Sequence, residues 1–600
     1  MAVLCTAALN FASAAMPEVE GCGGNQQPAD GAERKPNAEP TKFEKQATEL
    51  IDLLVAGKFE KATANFDAAM LKALPPARLK ATWAQVAALG GAYQKQRGVR
   101  QQQVKQQGRD YDVVIVTCEF EKSAFDVRVV FDAEGKITGL FTSPARPVFV
   151  GQEELWEGTL NVGAAKLRLM IHLGKTAEGQ TAATLDSIDQ GQKGLPFDSV
   201  AVQEEKITLE AKNLQLVIEG TFDAERKALS ATFRQAGQKF PIVFNRVEKE
   251  PELARPQTPK GPFPYDVHEV QYENPAGNVT LAGTLTVPKG AGPHPAAVLI
   301  SGSGAQDRDE TLFGHKPFLV LADHLTRRGI AVLRVDDRGV GGSTGSTVQS
   351  TSADFATDVL AGVKFLGKRT DISAKAIGLI GHSEGAIVAP LAASQSADVA
   401  FIVMLAGTAF SGEEIIYQQG EAILKASGMP ESNRAVQRQI QRRIFAIMKE
   451  VAEDSAARQR IEAEVRQIIN KLDETEAKAL GDINQYIKAQ ADQVLNPWFR
   501  HFLTYDPRVA LRKVRCPVLA LNGEMDLQVL PKENLAEIRA VLAEAGHKDF
   551  RVKELPGLNH LFQQSKSGLP IDYGQIEETI SPAVLELIAG WIAERFLQRN

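Results

Sequence analysis

Ala376-Ile377-Gly378-Leu379-Ile380-Gly381-His382-Ser383-Glu384-Gly385-Ala386-Ile387-Val388-Ala389-Pro390 is the stretch whose reading decides the fold. Its apolar first third reads as a buried strand, Gly381 to Gly385 as a sharp turn, and the small, apolar remainder as a helix. G-x-S-x-G between a strand and a helix is a nucleophile elbow, in which a strained turn lifts the serine clear of the sheet. A side chain at Gly381 or Gly385 would collide with the neighbouring strand or helix. In a chain with 49 glycines the pentapeptide alone says little. The strand before it, the helix after it and the partners downstream give it weight.

Around this stretch, strands alternate with helices from Tyr265 to the end, the mark of an α/β sheet. Val267–Tyr272 and Val279–Val287 form an entry hairpin. Pro295–Ile300 is a buried strand that runs into Ser301-Gly302-Ser303-Gly304-Ala305-Gln306-Asp307-Arg308-Asp309-Glu310. Helix Phe318–Arg328, strand Ile330–Val335, the Gly-rich loop Asp336–Ser343 and helix Phe355–Leu366 lead to the elbow strand. Strands Val399–Leu405, Pro517–Asn522 and Phe550–Leu555 follow. The order fits a mostly parallel, doubly wound sheet with its site at the carboxyl ends of the strands.

A serine hydroxyl becomes a useful nucleophile only when an imidazole takes its proton and an acid orients that imidazole. On an elbow of this kind the chain order is Ser, then Asp or Glu, then His. Of nine histidines, only His547 and His560 lie beyond strand Pro517–Asn522. His560 follows the last strand through the loop Pro556-Gly557-Leu558-Asn559 and is the expected base, while His547 sits at a helix end and reads as a surface residue. Asp526 emerges after strand Pro517–Asn522 and is the expected acid, with Glu524 and Asp506 as competitors. The oxyanion that forms on the carbonyl needs two backbone N–H donors. Glu384 N–H follows the nucleophile at a helix start. Ser303 N–H, between Gly302 and Gly304, is the second, because those glycines let the backbone approach a ligand.

Taken together, Ser301 to Asp309, Gly381 to Gly385, Tyr505-Asp506-Pro507, Leu521 to Asp526 and Leu558-Asn559-His560-Leu561-Phe562-Gln563 resemble a bacterial esterase subfamily of the α/β-hydrolases. Its members are often described as serine aminopeptidase-like or dienelactone-hydrolase-like. The resemblance spans Tyr265 to Asn600. It implies an α/β-hydrolase fold, a cofactor-free serine carboxylesterase acting on small, short-chain acyl esters, and Ser383, Asp526 and His560 as nucleophile, acid and base. Ala305 departs from the proline more usual in that loop. A peptidase or amidase on the same scaffold is the alternative. It would need a polar anchor for a peptide amino terminus, for which Glu413-Glu414 is the adjacent candidate. Thioesterase, lactonase and acyltransferase chemistry share the acyl-enzyme step, and a non-catalytic surface-binding protein is the reading from another class.

Residues 408–497 insert between two strands as a helical cap, read as helices Glu413–Ser427, Asn433–Asp454, Arg458–Leu472 and Glu474–Leu495 with a break at Gly428-Met429-Pro430. Ile415, Ile416, Leu424, Ile440, Ile444 and Phe445 face either the site or the cap core, and Trp498, Phe499 and Phe502 are candidates to line an acyl pocket. Ahead of the hydrolase region, residues 41–145 read as helices followed by an antiparallel sheet, a pattern resembling NTF2-like or cystatin-like domains. Residues 150–248 read as short alternating strands of a small antiparallel sandwich or open barrel, in which His172 packs. Residues 249–264 read as a linker.

The first forty residues read as a segment outside the fold. Ala2–Ala15 is apolar and ends in a small-residue pattern like an export cleavage site, and Cys22 follows a faint lipobox, so export with possible lipid attachment is the expectation. Gly23 to Pro40 reads as a disordered linker. The four cysteines are far apart and imply neither a metal site nor a disulfide framework. A net charge of -6 with dispersed basic residues points away from a nucleic-acid partner. Beyond the N-terminal segment no apolar run is long enough to span a bilayer.

Overall fold

The computed structural model describes residues 40–597 apart from 68–69, 72–73, 107–108, 122–123, 146, 148, 163–164, 177–178, 191, 236–237, 252–253 and 481. The expected export segment, Cys5, Cys22 and the linker ahead of Pro40 lie outside the described residues.

Helices α1 (Lys42–Val55), α2 (Phe59–Ala62) and α3 (Pro76–Gly90) pack on a four-stranded antiparallel sheet of β1 (Tyr93–Gln106), β2 (Arg109–Phe120), β3 (Ala124–Phe131) and β4 (Ile137–Pro144), in that order. Thr41 and Glu44 close a capping box at the start of α1, and Ala47, Leu50, Ile51 and Leu54 form its buried stripe. Strand β1 is not foreseen from the sequence. Its run of Gln, Lys and Arg has no apolar alternation, because it is an edge strand held by its backbone ladder to β2.

Nine antiparallel strands follow: β5 (Glu154–Val162), β6 (Ala165–Lys175), β7 (Thr181–Ser187), β8 (Gln192–Pro196), β9 (Ser199–Gln203), β10 (Lys206–Ala211), β11 (Leu216–Phe222), β12 (Ala228–Gln235) and β13 (Gln238–Val247). Their order, β8-β7-β6-β5-β13-β12-β11-β10-β9, puts the two edges next to each other in sequence. The turn joining them ties both ends, through Phe197 N–H to Ala183 O and Asp198 N–H to Glu210 O. The sheet therefore curls into an open barrel around Trp156, Leu169, Ile218, Phe233 and Phe244. Strands β8 and β13 are not expected from the sequence pattern. Pro241 argues against a strand at β13, yet Ile242 and Phe244 alternate inward there while Val243 points out.

The C-terminal sheet holds β14 (Asp266–Asn274), β15 (Val279–Val287), β16 (His294–Ile300), β17 (Ala331–Val335), β18 (Ile372–His382), β19 (Ile402–Leu405), β20 (Val518–Gly523) and β21 (Phe550–Leu555). Its order is β14-β15-β17-β16-β18-β19-β20-β21, antiparallel at the first three strands and parallel from β17 onward. Pleating sends Ala296, Val298 and Ile300 to one face and Ala297 and Leu299 to the other. The first face is covered by α5 (Ser352–Gly367), α6 (Gly385–Ala393) and α14 (Pro531–Glu544); the second by α4 (Pro317–Arg327) and α15 (Pro582–Phe596). Burial on both faces explains why these strands read as continuous apolar runs.

Between β19 and β20 the cap comprises α7 (Gly412–Ala426), α8 (Glu431–Glu450), α9 (Asp454–Ile469), α10 (Glu474–Ala479), α11 (Ile483–Val494), α12 (Pro497–Thr504) and α13 (Arg508–Leu511). Ile415, Ile416, Ile440, Ile444, Phe445, Phe499 and Phe502 form its core, joined by Ile387 and Val529 from the sheet layer. The single helix expected over Glu474–Leu495 is instead α10 and α11. Asp482 caps the second by accepting Gln485 N–H at 2.8 Å, a stop and restart that helical periodicity alone does not register. Among the described residues no helix is long and apolar enough to cross a membrane.

Candidate active site

Ser383 sits between β18 and α6 with φ 54°, a left-handed conformation that costs a non-glycine residue about 1–2 kcal/mol. Both flanking glycines are obligatory. A Cβ at Gly381 would lie 2.0 Å from Gly385 O, and one at Gly385 would lie 2.1 Å from Ile300 O. Ser383 N–H is bound by Leu405 O at 2.9 Å, so the turn is pinned to the neighbouring strand β19. An eight-stranded sheet of this order, with a strained serine at the end of its central parallel strand, decides the architecture. The fold is that of the α/β-hydrolases.

At the carboxyl end of β20, Asp526 is 1% exposed and its Oδ2 lies 2.8 Å from His560 Nδ1. Asp526 Oδ1 accepts the backbone N–H groups of Gln528 (2.8 Å) and Val529 (2.9 Å), which fix the carboxylate plane. His560 is also buried, in a loop tightened by Asn559, whose Oδ1 accepts Leu561 N–H and Gln563 N–H at 3.0 Å each. The loop lies against the elbow, for His560 O accepts from His382 Nε2 at 3.0 Å. A buried carboxylate, an imidazole and a strained serine on the ends of three strands form the set that proton-assisted acyl transfer needs. The competing acids are engaged elsewhere. Glu524 is exposed and accepts Gly557 N–H, and Asp506 pairs with Arg508 at 2.8 Å. His547 binds Cys516 O at 2.9 Å.

The loop after β16 passes directly over the elbow. A Cβ at Gly302 would meet Ser383 Cβ at 3.3 Å. Ser303 follows it, and Gly304 takes φ 103°. Glu384, whose N–H opens α6, buries its side chain, which accepts from Ser352 Oγ at 2.6 Å and from Trp498 Nε1 at 2.8 and 3.0 Å. Burial raises the Glu384 pKa against those hydrogen bonds. Trp498, stacked on Phe502 with ring centroids 5.0 Å apart, thus ties cap helix α12 to the elbow.

Three side chains around the site escaped the sequence reading. Asp337 accepts from Ser301 Oγ at 2.8 Å and Gln306 N–H at 3.0 Å, bracing the loop that carries Ser303, and its burial raises its pKa well above the ordinary range. Asp336 holds Arg308, with Arg308 Nη2 at 2.7 Å. Glu310 lies 2.9 Å from His382 Nδ1. The available signal was Asp336-Asp337 at the carboxyl end of strand β17, beside the loop it braces.

Residues 276–548 match the family described as X-Pro dipeptidyl-peptidase (S15 family), and residues 47–140 match a family described as protein of unknown function (DUF3887). Esterase EstD of Thermotoga maritima is 27% identical over 316 residues, which are 52% of this chain and 66% of that protein. The chain thus spans just under two thirds of the length of the curated relative it matches. Among solved structures, the Pyrococcus furiosus esterase Pf2001 is 16% identical with a TM-score of 0.35, covering 58% of this chain and 99% of that one. A dienelactone hydrolase from Anabaena variabilis is 15% identical with a TM-score of 0.31, covering 56% of this chain and 100% of that one.

Proposed function

We propose that this chain is a serine carboxylesterase that hydrolyses small, short-chain acyl esters through an acyl-enzyme. The observation that carries this reading is the buried 2.8 Å Asp526–His560 pair in the loop that lies against Ser383 in its strained elbow. His560 takes the Ser383 proton as Oγ attacks the ester carbonyl, and Asp526 holds Nδ1 protonated so that Nε2 faces the serine with its lone pair. Ser303 N–H and Glu384 N–H receive the oxyanion. His560 then protonates the departing alcohol. Water, activated by the same imidazole, releases the acid. The esterase relative supports the substrate class. The cap leaves the elbow beneath a helical layer, which favours small esters over polymers.

The X-Pro dipeptidyl-peptidase match favours a second reading, cleavage of peptide bonds. Against it, the adjacent carboxylates Glu413 and Glu414 are spent at the start of α7. Glu414 closes a capping box with Ser411, and Glu413 pairs with Lys449 at 2.7 Å and Tyr417 Oη at 3.1 Å. A chain-length series of p-nitrophenyl esters beside aminoacyl and X-Pro p-nitroanilides separates the two. Short esters should be cleaved fastest, and Ser383→Ala should abolish turnover while leaving thermal stability nearly unchanged. Dominant anilide cleavage, or turnover retained by the variant, would sink the esterase assignment.

A further inference from the structure

Directly beneath the nucleophile lies a second acid–imidazole pair for which the mechanism above has no role. Glu310 is 2% exposed and His382 5% exposed. Glu310 Oε1 accepts Gly302 N–H at 2.7 Å and lies 2.9 Å from His382 Nδ1. His382 Nε2 lies 3.0 Å from His560 O, a carbonyl that can only accept, so Nε2 carries hydrogen. A lone pair on Nδ1 would face the carboxylate oxygen lone pair against lone pair, so both contacts are satisfied together when His382 is an imidazolium and Glu310 a carboxylate. Burial works to lower the His382 pKa, but the Glu310 charge and hydrogen bond, with the His560 carbonyl, hold it above the ordinary value.

We infer that Glu310 and His382 are positioning residues, forming one charge-assisted bridge that sets the oxyanion loop and the base-bearing loop in register with Ser383. The inference rests on the serine-hydrolase reading above. The bridge runs Gly302 N–H, Glu310, His382, His560 O, and it joins the ends of β16, β18 and β21, which no short covalent path connects. Each anchor controls something that side-chain contacts leave loose. Gly302 has no Cβ, so its backbone dihedrals are soft, and they orient the following Ser303 N–H. Asp526 fixes the His560 ring, but the backbone from which the ring hangs is held by His382. Charge matters as well. The His382 and His560 rings lie 4.9 Å apart, so an unpaired imidazolium at 382 would oppose proton uptake at 560, and Glu310 neutralises it.

Glu310→Gln and His382→Gln test this by two readouts, the rate of Ser383 phosphonylation by a fluorophosphonate probe and kcat and KM on the best p-nitrophenyl ester. Displacement of reacting groups by a fraction of an ångström to 1 Å is expected to lower the labelling rate and kcat by about ten- to a hundredfold, with KM within about threefold. A buried pair that only stabilised the fold would lower the melting temperature and leave both rates of the folded enzyme unchanged, and that result overturns the inference. Should either variant fail to fold, Glu310→Asp keeps the charge and shortens the reach. The same kcat-selective loss is then required, and wild-type kcat overturns the inference. Because the probe reacts with any activated serine, wild-type protein that labels but cleaves no ester would refute the esterase reading while the labelling comparison still decides the bridge.

Discussion

Asp526→Asn is the substitution whose consequence the geometry constrains most tightly. The carboxylate presents Oδ1 to two backbone N–H groups, Gln528 and Val529, and Oδ2 to His560 Nδ1. An asparagine of the same shape must keep its oxygen on the two N–H donors, because turning it round would set its NH2 against both. Its NH2 therefore points at His560 Nδ1, which must then accept. The imidazole proton moves to Nε2, where the proposed mechanism needs a lone pair to receive the Ser383 proton. The folded structure loses almost nothing, since three hydrogen bonds are exchanged for three, but the base is held in its unproductive tautomer. The loss expected is about a thousand- to ten-thousandfold in kcat, about 4 to 5.5 kcal/mol of transition-state stabilisation. Steady-state hydrolysis of a p-nitrophenyl ester reads the rate, and a thermal melt verifies that the fold persists. An Asp526→Asn enzyme retaining more than about a tenth of wild-type kcat would show that Asp526 does not govern the tautomer.

Trp498→Phe removes the indole N–H that binds Glu384 but preserves the stacked ring, and should weaken the tie between α12 and the elbow by about 1.5–3 kcal/mol. Proteolysis within residues 412–504 should quicken, and an unchanged cleavage rate would dismiss the tie. Arg255, in the stretch expected to be a mere linker, donates to Phe313 O (2.8 Å), Gly574 O (2.7 Å) and Ile576 O (3.2 Å), so Arg255→Ala should lower stability by about 2–3 kcal/mol in urea denaturation of the full chain. A midpoint identical to wild type would mean that water replaces the guanidinium at no penalty. His172, buried on the face of β6 opposite the barrel core, has its pKa pulled down by burial but raised overall by Asp186, Glu153 and Glu250. A raised folded value gives stability that is complete below the unfolded value of about 6.5 and lost as pH climbs through the folded one. The stability advantage of the wild type over His172→Gln in urea should therefore shrink between about pH 6 and about pH 8. Parallel slopes in the two proteins would disprove the linkage.

The hydrolase sheet was legible because its signals are local and redundant. Strand β18 is apolar throughout its second half, the turn needs glycine at two places, and Asp526 and His560 each follow a strand at the expected end. Polar edge strands were not legible. Nothing in Tyr93–Gln106 distinguishes a pleated strand from a loop, since its pairing is made by backbone groups and its side chains are largely polar. The bracing carboxylates were hidden for a different reason. Asp337 and Glu310 act on Ser301 and His382, 36 and 72 positions away, and only the adjacency of β16, β17 and β18 brings them to bear. His382 stood inside the deciding pentapeptide, but which atoms its ring touches depends on a loop 178 residues further on.

The segment that follows His560 has two attachments. Buried Gln563 binds Asn559 Oδ1 on one side and reaches His315 on the other, and a few residues later Ile571 inserts among the apolar side chains of the β-barrel while Gln575 donates to Lys166 O at 2.7 Å. Gly574 packs so closely there that a Cβ would lie 2.3 Å from Asp189 O. The stretch of chain that carries His560 is thus also the plug of a neighbouring body. Cutting the gene ahead of Tyr265 to obtain a minimal enzyme would strip the socket from that plug, leaving an apolar side chain in solvent one loop away from the imidazole. Modules that look exchangeable as beads on a string are, at this seam, riveted.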